Sequence, residues 1–294
     1  MLLHVTFNPI EPMAEPLTLQ PFNHGIGVFD SGVGGLSVLK AIRAALPHED
    51  LIYVADSLFA PYGDKSHAYI TQRTLELGGW LEGLGVRALT LACNTATGVA
   101  VKALRDRTRL PVVAIEPAIK PAVTLTRTGG IGVLATQQTV LSENVIALCK
   151  LHGQGKQILL QACPGWVELV EQCELHGAKT LSLLRHYIDP LVDQGADTLV
   201  LGCTHYPFLQ PSIEKIYGSE LKLLDPAQAV AKELVRRLDQ LKLETTSKDT
   251  KNPLDSSKLG RTRLVTTGDP VQAGHVMSQL WGESIVVEHL DIWG

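Results

Sequence analysis

Short, wholly apolar runs alternate along this chain with longer stretches whose apolar side chains recur at helical spacing. Ile26 to Phe29 reads as a strand that runs into Asp30-Ser31-Gly32-Val33-Gly34-Gly35, and Leu36 to Leu46 as the helix after it. Leu51 to Ala55 is the next strand; a loop holding Pro61-Tyr62-Gly63 follows, then a helix from His67 to Leu84. Leu89 to Ala92 forms a third strand ending at Cys93, its helix carries Val99, Lys102 and Ala103, and Pro111 opens a strand at Val112 to Ile115. Apolar strands of this length alternating with helices predict a mainly parallel sheet covered on both faces. Binding residues then belong beyond the C-terminal strand ends.

The order restarts after Glu116-Pro117, with a strand at Ile131 to Ala135, a helix at Thr139 to His152 and a strand at Gln157 to Gln161. Gly165 to His176 and Lys179 to Gln194 read as helices, and Thr198 to Gly202 is again a strand that meets a cysteine, Cys203. Leu221 to Leu224 and the helix Ala227 to Leu241 lead the chain back to complete the first unit. Arg263 to Thr267, Val271 to Leu280 and Ile285 to Val287 are a closing strand, helix and strand. Two segments fall outside the pattern. Residues 1 to about 24, with Pro9, Pro12, Pro16 and Pro21, read as an extension lying outside the first unit or across its surface. Residues 243 to about 260 are polar and poor in large hydrophobes, and are expected to form a mobile surface insertion.

Composition narrows the class. A chain of 294 residues is long enough for one large core or two, and its 45% apolar and 19% charged content suits a folded soluble protein. Its net charge of -4 offers no field for gathering nucleic acid or anionic lipid. Five cysteines without a C-x-x-C pair make neither a disulfide framework nor a compact zinc site, and fit a reducing compartment. The N-terminus carries Glu11 and Glu15 and lacks the basic-then-apolar order of a secretory signal, and no apolar stretch reaches membrane-spanning length. The expected location is the cytoplasm.

Candidate chemistry centres on Ala88-Leu-Thr-Leu-Ala-Cys93-Asn94-Thr95 and Thr198-Leu-Val-Leu-Gly-Cys203-Thr204-His205, whose cysteines are 110 residues apart. A single strand-end cysteine is more often a small core residue than a catalyst. Two in matching settings are another matter: delivered by equivalent strand ends, they can face one ligand from opposite sides, as two-base proton exchange at carbon requires. The turn with Gly32, Gly34 and Gly35 is neither a P-loop nor a G-x-G-x-x-G dinucleotide site, and Asp30 beside it argues against phosphate as the main ligand. By composition Pro61-Tyr62-Gly63 is a rigid turn. Thr136 and Thr139 are helix caps or ligand donors, and Asn94, Thr95 and Thr204 can cap or orient a carboxylate. His205 is either a proton carrier for Cys203 or a satisfied core histidine; Glu168 and Glu171 sit on one short helix, with surface exposure open for both. Cys203-Thr-His205 alone is weak evidence for zinc or for Cys–His hydrolysis, and no cofactor motif is complete.

In order along the chain stand Phe29-Asp30-Ser31-Gly32-Val33-Gly34-Gly35, Pro61-Tyr62-Gly63, Ala92-Cys93-Asn94-Thr95-Ala96-Thr97 and Leu201-Gly202-Cys203-Thr204-His205-Tyr206-Pro207. With Gly132-Val-Leu-Ala-Thr136-Gln-Gln-Thr139 and Val167-Glu168-Leu-Val-Glu171 they span about Ile26 to Asp225, and the set resembles the bacterial glutamate racemases of the aspartate/glutamate racemase family.

That resemblance implies two facing, parallel-sheet-rich α/β domains with an interdomain active site. It divides the chain into an extension at 1–25, a first domain at 26–116 and 226–294, and a second at 117–225. The implied activity is cofactor-independent interconversion of L- and D-glutamate, supplying D-glutamate for peptidoglycan. Cys93 would take the α-proton from D-glutamate and Cys203 from L-glutamate, with Asp30 the polar partner near Cys93, and Glu168 and His205 near Cys203. Ser31, Tyr62, Gly63, Asn94, Thr95, Thr136, Thr139 and Thr204 are the implied substrate contacts, joined by Asp30 and His205. Homodimerisation and activation by a peptidoglycan nucleotide precursor are further implied partners; no metal, nucleic acid or membrane is.

Overall fold

The computed structural model describes residues 22, 24–153, 155–245 and 259–292. Four strands come first: β1 (Ile26–Asp30), β2 (Leu51–Ala55), β3 (Ala88–Leu91) and β4 (Val112–Ala114). The next four are β5 (Gly130–Ala135), β6 (Gln157–Ala162), β7 (Ala196–Leu201) and β8 (Lys222–Leu224), and β9 (Thr262–Thr266) and β10 (Val287–His289) close the chain. They form two wholly parallel sheets, one ordered β10-β9-β2-β1-β3-β4 and the other β6-β5-β7-β8. The fold is α/β, in two halves. In the centre of the first sheet β1, β2 and β3 are buried along their whole length, which is why their sequences are unbroken apolar runs rather than alternating ones. Strand β6 lies at an edge and is half-exposed.

Eleven helices connect these strands among the described residues: α1 (Leu36–Ala45), α2 (His67–Gly83), α3 (Asn94–Arg107), α4 (Ile119–Leu125), α5 (Gln137–Leu141), α6 (Glu143–His152), α7 (Trp166–Glu171), α8 (Ala178–Asp193), α9 (Gln210–Tyr217), α10 (Ala227–Thr245) and α11 (Pro270–Trp281). Helix α10 lies along α1 and so returns the chain to the first half. None of the described helices is long and apolar enough to cross a membrane.

Sheet register positions the chemistry. Phe29 pairs with Leu91, so Ser31 and Cys93 each stand two residues past the same rung. Leu134 pairs with Leu201, which puts Thr136 and Cys203 in the same relation in the other sheet. Both cysteines therefore emerge where parallel sheets offer their binding ends.

Several expected elements differ. The strand near 221–224 does not join the first sheet but pairs with β7 as the edge of the second. The stretch Thr139 to His152 is two helices, because Ser142 turns extended and its hydroxyl caps the second by accepting from the Val145 N–H at 3.3 Å. The helix expected to reach His176 ends at Glu171, just before Cys173 takes a left-handed φ of 55°. The last strand begins two residues later than Ile285. The expected N-terminal extension and the polar insertion lie mostly outside the described residues. Phe22 is described: it is buried, and its N–H bonds the Leu84 carbonyl at 2.9 Å.

Candidate active site

Cys93 is the N-cap of α3. Its extended backbone leaves the strand, and its sulfur accepts from the Ala96 N–H at 3.5 Å. The Ser31 hydroxyl lies 3.5 Å from the same sulfur, and Ser31 gives both its N–H and its O–H to Asp30 Oδ1, at 2.6 and 3.1 Å. Asp30 is buried, and burial pushes its pKa up against its hydrogen bonds and the pull of His205. The Cys93 thiol is also pushed well up, first by burial and then by the nearby Asp30 charge, with Ser31 and Ala96 opposing.

Cys203 is set differently. Strand β7 ends at Leu201, the Gly202 N–H ties back to the Leu134 carbonyl at 2.7 Å, and the sulfur then faces Nδ1 of His205 at 3.8 Å. Nε2 of His205 lies 2.7 Å from Glu171 Oε1. Burial works against an imidazolium here, but the hydrogen bonds to Cys203 and Glu171 outweigh it and raise the His205 pKa well above its ordinary value. In its protonated form the ring has a hydrogen on each nitrogen, one to give to sulfur and one to carboxylate. Between the sheets, the Thr204 hydroxyl donates to Asp30 Oδ2 at 2.8 Å. A line of contacts therefore runs from Cys93 through Ser31 and Asp30 to Thr204, the residue after Cys203.

The carboxylate beside His205 is Glu171, not Glu168. Glu168 is exposed in the first turn of α7, whereas Glu171 ends that helix and also accepts the Val33 N–H from the other half at 2.9 Å. This corrects the placement of Glu168 near Cys203. The two acids are three apart on one helix and share a face, so spacing could not choose between them.

Around the thiols the expected polar residues come together. The Thr95 hydroxyl meets Thr136 at 2.9 Å and Thr139 at 3.3 Å across the two halves, and Thr136 donates to Thr139 at 2.9 Å. Gly63, in the short turn Tyr62–Asp64, lies against Thr136, where a Cβ would stand 3.5 Å from the threonine Cβ. Asn94 is buried, and neither its amide nitrogen nor its oxygen has a hydrogen-bond partner. An orphaned amide at the start of a helix, beside a hydroxyl cluster, suits a zwitterionic or carboxylate ligand. Among the described residues no group of three or more His, Cys, Asp and Glu is placed to hold a metal ion.

Sequence reasoning missed the support of Tyr62. Its hydroxyl donates to Asp56 Oδ2 at 2.5 Å, and Arg73 grips the same carboxylate through Nε at 2.9 Å and Nη2 at 2.6 Å. Thr267 adds a fourth donor at 3.0 Å, and Asp56 and Arg73 are both buried. Asp56 and Arg73 are 17 residues apart on a loop and a helix, and no motif joins them.

A family model for Asp/Glu/Hydantoin racemases matches residues 26–234. This chain belongs to that racemase family. It is an isomerase. The glutamate racemase of Pseudomonas paraeruginosa (strain DSM 24068 / PA7) is 44% identical over 268 residues, covering 91% of this chain and 97% of that one. Among solved structures, glutamate racemase from Francisella tularensis subsp. tularensis SCHU S4, in complex with D-glutamate, aligns with a TM-score of 0.77 at 29% identity, covering 92% of this chain and 98% of that chain. Escherichia coli glutamate racemase, in complex with L-glutamate and the activator UDP-MurNAc-Ala, aligns with a TM-score of 0.77 at 31% identity, covering 92% and 100%.

Proposed function

We propose that this racemase interconverts L- and D-glutamate without a cofactor, by proton transfer between the substrate α-carbon and two cysteines, Cys93 and Cys203. Its product D-glutamate would feed peptidoglycan synthesis. The observation that carries the reading is the contact line Cys93–Ser31–Asp30–Thr204, which ties two buried thiols from separate sheets to one site with unlike electrostatic partners.

From L-glutamate, Cys203 acts as the base, its thiolate held beside the His205 imidazolium. It takes the α-proton while the Cys93 thiol delivers its own proton to the opposite face. D-glutamate leaves, the sulfur charges are exchanged, and proton exchange with solvent resets them. From D-glutamate the same steps run backwards, with Cys93 as base. The α-C–H is a weak acid, so the site must favour the carbanionic transition state over bound substrate. Prealigned sulfurs lower the positioning cost. Asn94, Thr95, Thr136 and Thr139, with Ser31, Thr204 and the Tyr62–Gly63 turn, are the groups to hold the carboxylates and amine. The partial positive charge at the start of the 14-residue helix α3 favours an anion there. Glutamate as substrate is supported by the relatives' activity, and activation by a nucleotide precursor by the Escherichia coli complex.

The test is circular dichroism of L-glutamate with the purified protein in deuterated water, with mass spectrometry of the product. The signal should decay to zero with deuterium in each inverted molecule. Aspartate handled as fast as glutamate would overturn the substrate assignment, and inversion that survives loss of either sulfur would overturn the mechanism.

A further inference from the structure

We propose that Gly34 and Ser37 are positioning residues that seat the Cys203 turn on the opposite half of the molecule; the proposal rests on the two-thiol reading above. The glycine-rich turn between β1 and α1 is usually explained by backbone freedom, but neither Gly32 nor Gly34 is among the glycines with positive φ. Side-chain space is the constraint. A Cβ on Gly34 would stand 2.3 Å from Nδ1, 2.6 Å from Cε1 and 2.7 Å from Cγ of His205. On Gly32 it would stand 2.1 Å from Oε1 of Glu171.

The ring and the carboxylate have no easy retreat. Glu171 is held by both the Val33 N–H and His205, and the His205 ring is buried. The Ser37 hydroxyl, in the first turn of α1, stands 3.0 Å from both the Thr204 and the Gly34 carbonyls and shares its one proton between them. The Thr204 carbonyl belongs to the peptide that leads into His205, so Ser37 grips the turn that bears Cys203 at its backbone. Three tethers thus converge on the β1–α1 segment: Val33 to Glu171, Ser37 to Thr204, and Thr204 to Asp30.

Cys93 needs no such seat. It stands in the same sheet as that segment, and the β1–β3 ladder fixes it directly. Cys203 lies in the other sheet, so its position relative to Cys93 depends on contacts between the halves, and these tethers are the ones at its own turn. Loosening the seat should impair Cys203 while leaving Cys93 in place.

The experiment follows each enantiomer of glutamate separately in deuterated water, comparing α-proton exchange without inversion against inversion itself. Gly34→Ala and Ser37→Ala are the test variants, Ser37→Thr the rescue, and Cys93→Ser and Cys203→Ser the controls. With Cys203 displaced, Cys93 still removes the proton of D-glutamate and returns a solvent-derived deuteron to the same face. Inversion should fall about tenfold to a hundredfold, as misplacement of a reacting group by an ångström does. The ratio of exchange to inversion should rise from D-glutamate and not from L-glutamate, and Ser37→Thr should restore it. Parallel loss of exchange and inversion from both enantiomers, or an unchanged Ser37→Ala, would overturn the proposal. If the cysteine variants themselves have no enantiomer preference, the two-thiol reading falls and the seat with it. A preference present in them and absent from the seat variants overturns the seat alone.

Discussion

The two cysteines occupy equivalent strand ends yet live in opposite electrostatic company. Cys93 caps a helix beside a buried carboxylate, and burial with the Asp30 charge pushes its pKa up. Cys203 is followed by a tight turn and faces a histidine whose positive charge is upheld by Glu171. The two sulfurs thus have unlike neighbours, a carboxylate on one side and an imidazole on the other. A reaction between mirror images has an equilibrium constant of unity, so kcat/KM must be equal in the two directions whatever the asymmetry of the site. The difference between the thiols therefore has to appear in protonation states, proton exchange and pH dependence. The ratio of the two kcat/KM values cannot report it.

The strongest way to break this comparison is to remove each sulfur in turn. Cys93→Ser and Cys203→Ser should each lower racemisation by about a thousandfold, within the range for losing a positioned acid–base group, as read by circular dichroism. A variant that keeps a tenth of wild-type turnover would end the claim that both are needed.

Support for the two sides differs as well. The Tyr62 turn beside the hydroxyl cluster rests on the buried Asp56–Arg73 pair. Behind Cys203 the support is aromatic: Trp166 packs edge-on against Tyr206 at 4.8 Å, and the Tyr206 hydroxyl reaches the Cys163 carbonyl at 3.3 Å. Arg73→Ala leaves the Asp56 charge facing neutral hydroxyls, and should cost about 3–5 kcal/mol in urea unfolding. A loss below about 1 kcal/mol, the range of surface pairs, would refute that reading.

Glu171→Gln sharpens the electrostatic contrast. The His205 contribution to stability is full below the ordinary histidine value of about 6.5 and is lost as pH rises through the raised folded value. Removing the Glu171 charge lowers that folded value, so the alkaline limb of the kcat/KM profile should move to lower pH. The activity loss, about tenfold, should be larger at high pH than at low. An unshifted limb would mean that His205 is not the group that titrates. Last, Glu168→Gln should change turnover by less than about twofold, as expected for an exposed side chain. A larger loss would return that carboxylate to the site.

Much of the site could be read from the chain because strand-end chemistry writes itself locally. Asp30-Ser31, Cys93-Asn94-Thr95 and Cys203-Thr204-His205 each follow a buried strand directly, and the structure brings them together. What stayed hidden depends on where elements stop and on which partners lie far off in sequence. Choosing Glu171 over Glu168 required knowing that α7 ends at Glu171 and that Val33, 138 residues away, offers an N–H. The break at Ser142 was written in a capping serine, but unbroken apolar spacing on either side concealed it. Strand pattern alone sent β8 back to the first unit, because three residues carry too little of it to name a neighbour, whereas the domain division implied by the family resemblance placed residues up to 225 in the second. The Asp56–Arg73 pair left no local signature, since a buried ion pair is recognisable only once both partners are enclosed.

Cys93 and Cys203 are only 4% and 6% exposed. A small electrophile should therefore meet little sulfur in the folded protein, and alkylation by iodoacetamide should be slow beside that of the unfolded chain. The same shelter should slow the oxidation of both sulfurs by peroxide.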